Sequence, residues 1–111
     1  MRRSIEQAIP FAAYLDVRQV GFARVVTDRA TFAYLADVFV VEESRGRGIS
    51  RALMEAVVAH PDLQGLRRWV LLTRDAHDLY RKFGFTGLQR PERYMERWDP
   101  DVYRRGAEPR G

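Results

Sequence analysis

Four consecutive residues, Arg45, Gly46, Arg47 and Gly48, combine mobile positive charge with two positions that lack a Cβ. A diphosphate asks for that pairing in a backbone turn, because the missing Cβ lets it approach the main chain and permits positive φ. The four residues stand between an apolar run, VFVV at 38–41, and a stretch where Ile49, Ala52, Leu53, Ala56 and Val57 recur at helical spacing. That spacing predicts an amphipathic helix opening near Gly48 and ending at His60. The first turn of a helix carries N–H groups with no internal partner, and the aligned peptide dipoles add partial positive charge there. Strand, RGRG turn and helix, in that order, form a cradle for phosphate made by Arg45, Gly46, Arg47, Gly48, Ile49 and Ser50.

Known phosphate cradles differ in what surrounds their glycines. A mononucleotide P-loop ends in Lys followed by Ser or Thr, and no such pair is present here. A dinucleotide turn has three spaced glycines and an acidic residue at the end of the next strand, where this chain has Leu72 and Thr73. The turn instead resembles motif A of the GCN5-related N-acetyltransferases (GNAT), Arg/Gln-x-x-Gly-x-Gly/Ala, with Arg45, Gly48 and Ser50 at the defined positions. Ser50 departs from the usual Gly or Ala by one small hydroxyl. A second segment, AHDLYRKFGF at 76–85, is similar to the family's Ala-x-x-Leu/Phe-Tyr-x-Lys-x-Gly-Phe, although Thr73 stands where members often carry Asn.

The resemblance implies an α/β fold of the GNAT acyl-CoA N-acyltransferase type: a mixed sheet with an antiparallel meander followed by a β-α-β crossover, shortened at the amino end. It also implies acetyl-CoA as cosubstrate, its diphosphate on the RGRG turn and its pantetheine between two splayed strands, against Phe39, Val40 and Val41. Tyr80 becomes the expected general acid beside the CoA sulfur. By periodicity alone Tyr80 is a core tyrosine, sharing an apolar face with Leu79 and Phe83.

Acetylation of an amine begins with a deprotonation problem. An amine with a pKa near 10.4 is neutral in only about one molecule in a thousand at pH 7.4, so removing its proton costs roughly 4 kcal/mol. Asp37 is the expected base, being the only charge from Phe32 to Val41. A carboxylate in such a strand needs a partner or a task, and a bulge beside it would reconcile it with its apolar neighbours. Glu42, Glu43, Asp75 and His77 read as solvated or capping groups, and His60 as a partner of the helix dipole. No spacing of His, Asp and Glu suggests a metal site.

The elements that must position these groups are legible in outline. Residues 3–9 read as a short helix with Ser4 as N-cap, stopped by Pro10. Residues 11–15, 21–26 and 32–41 read as strands of a meander, with turns at DVRQ and TDRAT. Residues 69–72 are continuously apolar, which predicts a strand buried on both faces and parallel to residues 38–41. A second helix is expected around Ala76, Leu79, Tyr80 and Phe83, capped near Thr73 or Asp75 and ended by Gly84, followed by closing strands at 85–88 and 94–98.

Composition sets the outer bounds. The chain has 111 residues, 46% hydrophobic and 31% charged, enough for one packed domain, expected over 1–98 with a basic mobile tail at 99–111. It has no cysteine, no apolar run of membrane-spanning length and no signal-peptide core, so the expected location is the cytoplasm. Its net charge of +4 suits an anionic ligand. The arginines are scattered among acids and form no stripe, a charge pattern that argues against nucleic acid as the partner. The expected partners are a small-molecule or protein amine and a second copy of the chain covering an exposed sheet edge. The alternatives are an acetyl-CoA-binding module without turnover and a small basic nucleic-acid-binding domain.

Overall fold

The computed structural model describes residues 8–101. Three strands, β1 (Ala8–Leu15), β2 (Arg18–Thr27) and β3 (Phe32–Val40), form the antiparallel meander. Between β2 and β3 the carboxylate of Asp28 accepts from the Thr31 hydroxyl and from the backbone N–H groups of Ala30, Thr31 and Phe32. Those bonds, the Thr31 hydroxyl foremost, hold the Asp28 carboxyl well below the usual carboxylate range. The chain then crosses over through helix α1 (Ile49–Ala59) to β4 (Arg68–Leu71), which lies parallel to β3, and continues into the short helix α2 (His77–Arg81). The sheet order is β1-β2-β3-β4.

One face of this sheet packs on α1. Ile9, Ala23, Val25, Ala33, Leu35 and Val40 meet Ile49, Leu53, Met54 and Val57 there, and the last two are fully buried. The buried stripe is thus 49, 53, 54 and 57, whereas Ala52 and Ala56, expected on it, are exposed. A long Met side chain fills more of the space above the sheet than a methyl group, so the helix turns Met54 inward. Gly21 lets α1 come close: a Cβ on it would lie 2.9 Å from Ile49 Cγ2 and 3.2 Å from Leu53 Cδ1. The amino end of α1 is thereby pinned over the β2–β3 pair.

Several expectations are corrected. Ala8 and Ile9 open β1, and Pro10 lies inside it; on an edge strand the missing proline N–H breaks no ladder bond. The rest of the expected helix at 3–9, and residues 102–111 of the expected tail, fall outside the described residues. The strand β4 sits at the sheet's end and is half-buried or exposed, so it is an edge strand among the described residues and not a doubly buried one. It pairs with residues 32–35 of β3, and not with 38–41. No strand forms at 85–88 or 94–98. Gly84, at φ 91°, turns the chain so that the Phe85 N–H donates to the Tyr80 carbonyl at 3.2 Å, which removes that group from any ladder.

Candidate active site

The phosphate turn is built from the end of β3. Val41 N–H donates to Val20 O at 2.9 Å, and a single 3-10 turn at Glu42–Ser44 follows, closed by Ser44 N–H to Val41 O and Arg45 N–H to Glu42 O. Arg45 Nε donates to Val40 O at 3.2 Å, so this side chain ties the turn to the strand and is not the mobile charge expected of it. Gly46 and Gly48 both adopt positive φ, 83° and 77°. A Cβ at either would meet nothing within 4 Å, so backbone conformation, and not room within the protein, demands glycine here.

Gly48 is the N-cap of α1, and its carbonyl accepts the first helical bond, from Ala52 N–H at 3.0 Å. No described residue accepts from the N–H groups of Gly46, Arg47, Gly48, Ile49, Ser50 or Arg51. Nor is there an acidic residue in the helix's first turn to offset its dipole. Six amides without an acceptor among the described residues and the positive end of an eleven-residue helix therefore lie together at one exposed turn. A hollow of 410 Å³ beside it is lined by Ser44, Arg47, Val20 and the ion-paired Arg18 and Glu43. A larger groove, 1020 Å³, lies between the end of α1, β4 and residues 83–95, and includes neither the turn nor Asp37.

A fork leads away from the turn. The last β3–β4 rung joins Leu35 to Leu71, and beyond it β3 continues to Val40 with no strand on that side among the described residues. Backbone groups of a strand alternate between its two edges, and those of Val41 face β2, as the bond to Val20 shows. Of Phe39, Val40 and Val41, only Val40 therefore turns its backbone to the open side, together with Val38, a position that sequence reasoning missed. The signal was available only through register. Phe39 contributes a half-exposed ring on the sheet face away from α1.

Asp37 lies just past the fork. Arg24 opposes Asp37 and Val25 opposes Leu35, so Ala36 is an unpaired bulge residue, the irregularity anticipated beside the carboxylate. Arg24 Nε, itself shut off from solvent, lies 3.0 Å from Asp37 Oδ2. The carboxylate is about half exposed, so the ion pair reaches the surface.

Tyr80 follows from the second segment. Thr73 Oγ1 accepts from Ala76 N–H at 3.0 Å, giving the residue in the Asn position a capping task. Tyr80 itself is buried, its ring edge-on to Phe85 at 6.1 Å. Its hydroxyl has no hydrogen-bond partner among the described residues, and burial pushes its pKa up. Both the phosphate turn and the segment carrying Tyr80 follow the carboxyl ends of the parallel pair β3 and β4, the usual place for a ligand in such a sheet. The secondary candidates have other duties. Glu43 pairs with Arg18, His77 is exposed at the start of α2, and His60 Nδ1 accepts from Asp62 N–H, capping the turn after α1 and not the helix carbonyls. No group of three or more acidic or imidazole side chains clusters among the described residues.

The family model for the acetyltransferase (GNAT) domain matches residues 6–87. The chain belongs to the GNAT family. A GNAT-family protein from Xanthomonas campestris pv. campestris, solved by crystallography, is 58% identical, with a TM-score of 0.86 over 92% of this chain and 72% of that one. An acetyltransferase-type protein of Gibberella zeae is 42% identical over 67 residues, and the chain spans 37% of its length. A protein of Clostridium acetobutylicum crystallised with acetyl-CoA shares the fold at 16% identity, with a TM-score of 0.65 over 83% of this chain and 64% of that one. The GNAT fold is therefore the one that sets the turn, the fork and Tyr80 in order, and no helix of the described residues is long and apolar enough to cross a membrane.

Proposed function

We propose that this chain binds acetyl-CoA and transfers its acetyl group directly to a primary amine in a ternary complex. One observation carries the reading: six backbone N–H groups at the mouth of α1 have no acceptor among the described residues, and they open beside an edge of β3 that no described strand pairs. A diphosphate accepts from such amides, and a pantetheine arm, with amide groups of its own, suits the open-edge backbone of Val38 and the Val40 N–H, the Val40 carbonyl already accepting from Arg45 Nε. Gly46, Gly48 and Arg47 complete the cradle, with Ile49 and Ser50 contributing amides. The fit agrees with the acetyl-CoA carried by the Clostridium acetobutylicum protein.

In the transfer, the acceptor's ammonium gives a proton to Asp37, directly or through water. The amine nitrogen bonds to the thioester carbonyl carbon and releases its second proton to solvent, the C–S bond breaks, and the sulfur leaves as a thiolate that takes up a proton to end as a thiol. Tyr80 is protonated at physiological pH, as a phenol ordinarily is, and burial pushes its pKa further up. Full transfer from a phenol of pKa 10 or above to a thiolate of pKa about 8.5 is uphill by roughly 2 kcal/mol or more. Tyr80 therefore acts first as a hydrogen-bond donor to the developing thiolate, with solvent completing the protonation.

Calorimetric titration with acetyl-CoA tests the binding, and release of free thiol with a panel of primary amines tests the transfer. Stoichiometric heat and amine-dependent thiol are expected. Heat without thiol would leave a binding module, and no saturable heat would remove the reading altogether.

A further inference from the structure

Asp37 is tolerated in β3 through two devices, a bulge in its own strand and a partner on β2. Ala33 and Leu35 point toward α1, so an unbroken strand would send Asp37 the same way, against Ala23, Val25 and Leu53, where a carboxylate has no partner. The bulge at Ala36 reverses the alternation, and Asp37 emerges on the opposite face with Arg24 directly across the ladder. Arg24 is the lone charge of β2 beyond its first residue, it is mostly buried, and its Nε meets Asp37 Oδ2 at 3.0 Å. The pair stands beside the place where β4 leaves β3, the end of the open edge remote from the phosphate turn. An acyl carrier that is anchored at the turn and runs along that edge brings its reacting end toward the pair.

We propose that Arg24 is a positioning residue: its cross-strand ion pair holds the Asp37 carboxylate at the mouth of the fork, in the orientation that takes the acceptor's proton. The inference rests on the transfer reading above. Arg24 itself touches neither substrate. Its guanidinium fixes where the carboxylate points, and an error of about 1 Å in such a group costs about 100-fold in rate.

The test uses the full chain, acetyl-CoA, and a panel of n-butylamine, tyramine and spermidine, with thiol release as the readout. Arg24→Met is expected to lower kcat about 100-fold while leaving the KM for acetyl-CoA unchanged, and Arg24→Lys to recover part of the loss. In an Asp37→Asn background, Arg24→Met should cost nothing further, because its effect runs through the carboxylate. If the methionine variant does not fold, the same cycle is run with Arg24→Gln. Wild-type kcat in Arg24→Met, multiplying losses in the double variant, or a parallel loss of kcat and acetyl-CoA affinity would each overturn the proposal while leaving the transfer reading intact. A wild-type chain that binds acetyl-CoA yet releases no thiol with any amine would overturn both.

Discussion

Replacing Gly48 with alanine strikes the phosphate turn at a single point. Gly48 sits at φ 77°, where an L-residue pays about 1–2 kcal/mol, and an added Cβ would meet no protein atom within 4 Å. The cost within the protein is therefore conformational alone. If the free chain relaxes out of the left-handed region, the bound state must pay that strain to restore the turn; if it does not relax, the methyl group stands where the diphosphate approaches. Either route predicts acetyl-CoA affinity weaker by about 5- to 30-fold, from 1–2 kcal/mol at 1.4 kcal/mol per decade. Gly65→Ala is the matched control, with φ 71° and equally open surroundings, in the loop between α1 and β4. It should lower stability by a similar amount and leave affinity alone. Isothermal titration of both variants, with denaturant melts alongside, makes the comparison. Wild-type affinity in Gly48→Ala, or an equal loss in Gly65→Ala, would refute the socket.

Tyr80→Phe should lower kcat by about 10- to 100-fold, the worth of one hydrogen bond to a developing anion, with acetyl-CoA affinity preserved; equal loss of both would remove Tyr80 from the chemistry. Because burial raises the folded-state pKa of Tyr80, its contribution to stability is fully present below pH 10 and is lost as pH rises through the higher folded value. Alkaline denaturation monitored at constant urea should thus fall less steeply above pH 10 in Tyr80→Phe than in the wild type. Gly21→Ala places a Cβ 2.9 Å from Ile49 Cγ2, overpacking that is expected to cost about 1–3 kcal/mol, read as a lower urea midpoint with unchanged slope. Met54→Ala empties a fully buried site and should cost about 2–5 kcal/mol in the same assay.

The parts of the site that were legible in the chain are those set by local spacing. The 3.6-residue period from Ile49 and the two glycines before it mark where α1 opens, and its N–H groups are exposed there for the reasons the pattern predicts. The bulge was inferable because a single aspartate among apolar residues has few other ways to stay in a strand. Local spacing also misled. The apolar content of residues 85–88 suggested a strand, but Gly84 folds Phe85 back onto Tyr80 and Trp69, where its ring packs edge-on. Ala52 and Ala56 fit the helical stripe by spacing, yet Met54 displaced them by size.

The sequence by itself determined the order of elements from the meander to α2, the opening of α1 at a glycine turn, and the presence of a tyrosine and an aspartate in segments able to carry proton chemistry, because each depends on residues a few positions apart. Only the tertiary structure decided that β4 leaves β3 after Leu35, that Val38 and Val40 own the open edge, and that Asp37 answers to Arg24. Those are matters of register between strands distant in the chain. A shift of one residue exchanges the faces of a strand without changing its composition, so pairing must be seen before side chains can be placed.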